Sequence, residues 1–219
     1  MKKSILFFFL FCLTPSICQA ASGVTAELEE PLPSQLTDSV VKKSQDIIRL
    51  NIGPGWIVSE IETDYNIYKR KVGFSASADY LHYWKSGWGV GANYMFYNAS
   101  FDEGFSINIH YIGPCVAGST KFGSRWRWDS TLGAGYAYYK EIISSNYGGI
   151  SYELSAGQGR FASIVQTGIE YKISDKVGIG IQLNGFLMSQ KKPEGYTDDK
   201  YDFYGIKRYD VQVGTRIYL

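Results

Sequence analysis

Three kinds of feature are scarce in this chain, and each scarcity removes a class of function. Beyond its first residues there is no apolar run of the about 18 residues that a membrane-spanning helix needs. Three cysteines and two histidines, with no CxxC or HExxH spacing, leave no zinc module to build. A formal net charge of +1 gives no electrostatic footprint for nucleic acid. Leucine and alanine are also too modest for a helix bundle. What is abundant is glycine (24) and tyrosine (18), with 16% aromatic residues in all, a mixture that favours strands and turns.

Residues 1–20 read as a signal peptide: Lys2 and Lys3, then an apolar run from Ile5 to Leu13, then Cys18-Gln19-Ala20 as a small-x-small cleavage site. Lipidation at Cys18 is the alternative, and the bulky Ile17 just before it argues against that. Cleavage removes Cys12 and Cys18, so Cys115 alone remains and no internal disulfide can form. Residues 21–45, with Glu27, Glu29, Glu30, Pro31 and Pro33, read as an exposed periplasmic linker.

From about residue 46 to 219 the pattern changes to eight segments that alternate apolar with polar or small residues. Each is long enough for a tilted strand to cross a bilayer. The apolar sets are Ile48, Leu50, Ile52; Phe74, Ala76, Ala78, Tyr80; Trp88 to Phe96; Phe105, Ile107, Ile109, Tyr111; Trp126 to Tyr138; Phe161 to Tyr171; Val177 to Leu183; and Tyr209 to Leu219, each taken at every second residue. Connections alternate in length. Lys85-Ser86-Gly87, 119–124 and Ser174-Asp175-Lys176 are tight, whereas 60–72, 98–104, 140–160 and 188–207 are long. This reading predicts an all-β protein: an eight-stranded antiparallel up-and-down transmembrane β-barrel, with both chain ends on the periplasmic, short-turn side.

Which face is which follows from their chemistry. One face is rich in Gly, Ser, Asn and Gln and carries Arg49, Asp79, His110, Arg127, Asp129, Glu170, Asp210 and Arg216. Small residues and mutually pairing charges suit the narrow interior of eight strands, so these eight residues are the expected lumen network. The other face is aliphatic in the middle and aromatic near the strand ends, as lipid-facing girdles require. The closing Tyr218-Leu219 resembles the C-terminal signal of outer-membrane barrels, although Leu219 replaces the usual aromatic residue. Over about 46–219 the whole pattern resembles the small outer-membrane barrel superfamily of OmpA, OmpX and opacity-type proteins, without the peptidoglycan-binding domain of the longer OmpA chains. The resemblance implies outer-membrane lipid and lipopolysaccharide as surroundings, and the barrel-assembly machinery as the partner during insertion.

No catalytic, metal or cofactor site emerges. His82 lies on the apolar face near a strand end and reads as interfacial. His110, placed in the lumen with Ser106 on the same face, is the one candidate base for a lipid A acyl-modifying enzyme, but no His-x-Ser pattern accompanies it. Asn98-Ala99-Ser100 and Asp38-Ser39-Val40 are weak glycosylation triplets. The long loops at 140–160 and 188–207, rich in Tyr, Gly and Ser, are the candidate surface for an extracellular ligand. The leading expectation is a non-enzymatic barrel for envelope integrity or surface interaction, ahead of the enzyme and of a narrow pore.

Overall fold

A computed structural model describes residues 44–59, 61–62, 67–68, 72–101, 104–147, 150–189 and 205–219. The expected signal peptide, most of the linker, both weak triplets' linker member at Asp38 and most of the 188–207 loop lie outside the described residues. The strands are β1 (Gln45–Ile57), β2 (Ile61–Glu62), β3 (Ile67–Tyr68), β4 (Val72–Tyr83), β5 (Trp88–Ser100), β6 (Phe105–Phe122), β7 (Trp126–Tyr147), β8 (Ile150–Lys172), β9 (Val177–Ser189) and β10 (Gly205–Tyr218). Eight of them form a closed antiparallel barrel in the order β1-β4-β5-β6-β7-β8-β9-β10, closed by the pairing of β10 with β1; β2 and β3 form a small separate two-stranded sheet.

The register defines the barrel's shape. A path of paired residues runs from Ile47 through Leu81, Gly91, Cys115, Gly133, Ile164, Phe186 and Arg208, and returns to β1 at Ile57, ten residues from its start. That offset is the shear of the barrel, and it forces the strands to tilt steeply against the axis, in the usual range of about 35–45°. Two prolines sit inside strands, Pro54 in β1 and Pro114 in β6. Both point outward, at places where the ladder with β10 or β7 skips a step, so the missing N–H orphans no partner.

Outside and inside are inverted relative to a water-soluble protein. Exposed outward residues include Leu50, Ile52, Ile112, Leu132, Ile179, Ile181 and Val213, whereas Arg49, Asp79, Gln166, Gln182 and Arg216 are buried inside. An apolar belt around a polar filling is what a bilayer selects, because lipid solvates the belt and ring closure leaves no strand edge unpaired in hydrocarbon. Aromatic residues bound the belt. Trp84, Trp88, Phe122 and Trp126 gather at the end with the tight turns, and Phe122 stacks on Trp126 at 6.2 Å between ring centroids. Phe74, Tyr136, Tyr138, Phe161 and Tyr209 lie towards the other end. At one tight turn the Ser174 hydroxyl accepts the N–H groups of Lys176 and Val177, and Lys172 bonds Asp175 at 2.8 Å.

Two expectations are corrected. In β6 the faces are reversed: Phe105, Ile107, Ile109 and Tyr111 are buried in the lumen, while His110 is exposed and Ser106 and Asn108 share its outward face. The connections are also less irregular than the sequence implied. The expected loop at 98–104 shrinks to the four residues between Ser100 and Phe105, with Gly104 at φ 76°. The segment 140–160 is largely strand, since β7 and β8 stay paired out to Tyr147 and Ile150 as a two-stranded ribbon that outruns the barrel.

Candidate functional site

The lumen is the most elaborate polar site among the described residues. Arg49, fully buried, is its hub: Nε lies 2.9 Å from Asp79 Oδ2 and Nη1 3.1 Å from Asp129 Oδ1. Its Nη2 donates to Thr131 Oγ1 at 3.1 Å and to Gln166 Oε1 at 3.2 Å. One guanidinium from β1 therefore ties together β4, β7 and β8 across the interior. The planar fork of arginine permits this, with several donors aimed in fixed directions at once. Asn93 donates a second bond to Asp79.

Glu170 is the matching acidic node. Arg127 pairs with its Oε1, Tyr218 donates to the same oxygen at 2.9 Å, and Arg216 Nε lies 3.5 Å from Oε2. Arg216 also donates to Asn51 Oδ1 at 2.5 Å. Next to these nodes lies an uncharged stratum. Asn51 donates to Ser77 and Gln182, Gln182 to Asn184, Asn184 and Ser77 to Gln212, and Gln212 to Ser75.

Towards the ribbon end the lumen becomes apolar. Ile57, Met95, Tyr97, Ile107, Ile109, Tyr111, Phe186, Met188 and Ile206 pack as one cluster. A single ion pair is set into it: Arg208 Nε lies 2.9 Å from Asp210 Oδ1, and the guanidinium carbon lies 4.6 Å from the Tyr97 ring centre and 4.8 Å from that of Phe186. Arg208 lies one residue before the eighth alternating segment as the sequence pattern delimits it, from Tyr209. Its signal was present, because it lies two residues before Asp210 and so on the same face. Asp210 therefore pairs with Arg208 rather than with Arg49, Arg127 or Arg216.

Seven of the eight expected network residues, all but His110, are brought into the lumen. With Arg208 the buried charges among the described residues number four arginines and four acids. Such an arrangement braces walls; each charge loses its hydration, and only the partner offsets that loss. His110 stands apart on the outer surface, where its Nδ1 lies 2.9 Å from the Tyr94 hydroxyl and its ring 5.1 Å from that of Phe96. His82, also outward, bonds Asp46 at 2.8 Å at the tight-turn end, and Asp46 accepts a further bond from Tyr80 at 2.9 Å. Among the described residues no group of three or more His, Cys, Asp or Glu could hold a metal ion.

No family model matches the chain, and no curated protein is similar to it in sequence. Solved structures are similar in fold. Neisserial surface protein A superposes with a TM-score of 0.53 at 13% identity, over 78% of this chain and 96% of its own. The chain has the fold of the small outer-membrane β-barrels. Weaker likenesses to outer-membrane-type barrels extend to Ail, the attachment invasion locus protein of Yersinia pestis (TM-score 0.44, 15% identity, 80% of this chain and 99% of that one), and to OprG of Pseudomonas aeruginosa (0.45, 9%, 81% and 97%). The likeness is one of fold, and the lumen chemistry belongs to this chain's own residues.

Proposed function

We propose that this barrel resides in the outer membrane, both chain ends in the periplasm, and serves envelope integrity or surface interaction without catalysis. The observation that carries the reading is the contrast between a filled lumen and a projecting ribbon. Mutually paired charges and an apolar cluster occupy the interior, which disfavours a pore. The paired arms of β7 and β8 extend beyond the aromatic ring at the far end. A rigid scaffold that presents an extended surface favours binding. The outward position of His110, bonded to Tyr94 and packed on Phe96, weighs against a lumenal general base. Lipid and lipopolysaccharide of the outer membrane, the barrel-assembly machinery during insertion and an extracellular ligand at the ribbon and the 188–207 connection are the partners this reading requires.

The test combines location with loss of the ribbon. The protein is expected to fractionate with the outer membrane and to change its gel mobility on boiling. Cells in which residues 144–153 are replaced by a short turn should keep that heat-modifiable band yet lose surface adhesion or become sensitive to detergent. Recovery of the protein as a soluble periplasmic species defeats the location. A change of one acyl chain in the lipid A mass spectrum, abolished by His110→Ala, defeats the non-catalytic role.

A further inference from the structure

The reversed faces of β6 leave an unusual patch on the outer wall of the barrel. Three successive rows of directly paired, outward residues cross β5, β6 and β7. The first is Tyr94, Ile112 and Tyr136; the second is Phe96, His110 and Tyr138; the third is Asn98, Asn108 and Lys140. Polarity thus rises in two steps, from an aromatic and aliphatic row, through an aromatic row holding one imidazole, to a row of two amides and an ammonium. The aromatic rows mark the level of the membrane interface. The amide row stands just beyond it, against the headgroups of the leaflet. At the same end of the barrel the outward residues at the ends of β1 and β4 are instead Trp56 and Val72, with Val58 just beyond β1.

The third row is organised. Asn98 Nδ2 donates to Asn108 Oδ1 at 2.8 Å, which fixes both carboxamides and leaves each with further donor or acceptor capacity. Lys140 is the cross-strand partner of Asn108 on the same face. Below them Tyr94 holds the His110 ring, so that Phe96 and His110 form a paved step. Two fixed amides beside one ammonium match a sugar ring that carries both amide or hydroxyl groups and a phosphate; a bare phosphate would be better met by clustered cations. The aromatic rows beneath suit the acyl chains that descend from such a sugar.

We infer that this patch, on the outer-membrane location proposed above, binds the phosphorylated glucosamine headgroup of the outer-leaflet glycolipid. Lys140 meets the phosphate, and Asn98 and Asn108 meet the sugar. The patch is a fixed lipid site on one side of the barrel rather than an evenly solvated rim.

Titration of the detergent-folded protein with purified lipid A, followed by native mass spectrometry, tests this directly. The variants are Lys140→Gln and the double variant Asn98→Ala/Asn108→Ala, with Lys207→Gln as a control cation at the same end of β10. Wild type and Lys207→Gln are expected to hold one lipid A. The two patch variants should bind at least five-fold more weakly, and dephosphorylated lipid A should bind wild type as weakly as intact lipid A binds Lys140→Gln. Equal binding by all four proteins overturns the inference, as does equal displacement by phosphatidylglycerol, which would make the patch a general anionic surface. Lys140→Gln touches no hydrogen-bonded pair described in the wall, so it keeps the test open should the double variant misfold. Heat-modifiable mobility reports folding in every case. Fractionation tests the outer-membrane location separately, so the location can fail while lipid binding stands, and the reverse.

Discussion

The two halves of the lumen are filled by different chemistry. Towards the tight turns the filling is a web of charges and amides centred on Arg49 and Glu170, with a small apolar cluster around Ile47, Leu81 and Tyr83 beside it; towards the ribbon it is a larger apolar cluster with one embedded ion pair. The two halves fail differently when altered. An apolar filling loses contact area in proportion to what is removed. A charged web loses compensation, and a single deletion strands every partner of the deleted group at once.

Arg49→Met should therefore have the largest effect. It leaves Asp79 and Asp129 buried without their cation, at a cost of about 3–5 kcal/mol, read as a lowered urea midpoint of the vesicle-folded barrel. Adding Asp79→Asn to that variant should restore part of the loss, and failure to do so would deny the coupling. Phe186→Ala in the apolar half should cost about 3 kcal/mol, with no rescue from any charge change. If it costs nothing, the two halves do not differ as argued.

A gentler probe uses Cys115, the one cysteine of the chain after the expected leader, which is buried on the lumen side beside Leu81, Ala117 and Tyr218. A polar thiol reagent is expected to leave it unmodified in the folded barrel and to modify it fully in urea. Rapid modification of the folded protein would mean a wet lumen and revive the pore. The smallest effect belongs to the exposed Lys172–Asp175 pair at the β8–β9 turn. Asp175→Asn should leave the urea midpoint where it is, since exposed ion pairs contribute little, and it sets the zero against which the lumen variants are read.

The same contrast explains what was legible in the sequence. In β1, β4, β5, β7, β8, β9 and β10 one face carries glycine, serine, amides or charges, and it is the lumen face in every case. β6 misleads because its Phe105-to-Tyr111 stretch belongs to the apolar half, where Ile107 and Ile109 face inward. An apolar lumen and an apolar bilayer ask for the same residues, so composition cannot separate them there. The lower part of the same strand held the cue: Gly113, Cys115 and Ala117 are small and lumenal, whereas Ile112, Pro114 and Val116 face out. Carrying that phase upward places His110 outside. The particular partners within the network were not legible, because they depend on a shear that only the closed register fixes.

That register bears on how the barrel can come into being. The seam between β1 and β10 joins Ile47 to Tyr218, and Leu219 N–H reaches Asp46 O at 3.0 Å. Every other barrel ladder links barrel strands that follow one another along the chain, with only the β2–β3 pair intervening between β1 and β4, but this one waits for nearly the whole chain. Until it forms, two strand edges would stand open in hydrocarbon at several kcal/mol for each unpaired group. Such distant pairing is intrinsically slow. The seam is therefore the step at which insertion and folding must coincide, and the place where an assembly partner holding β1 and β10 would gain the most time.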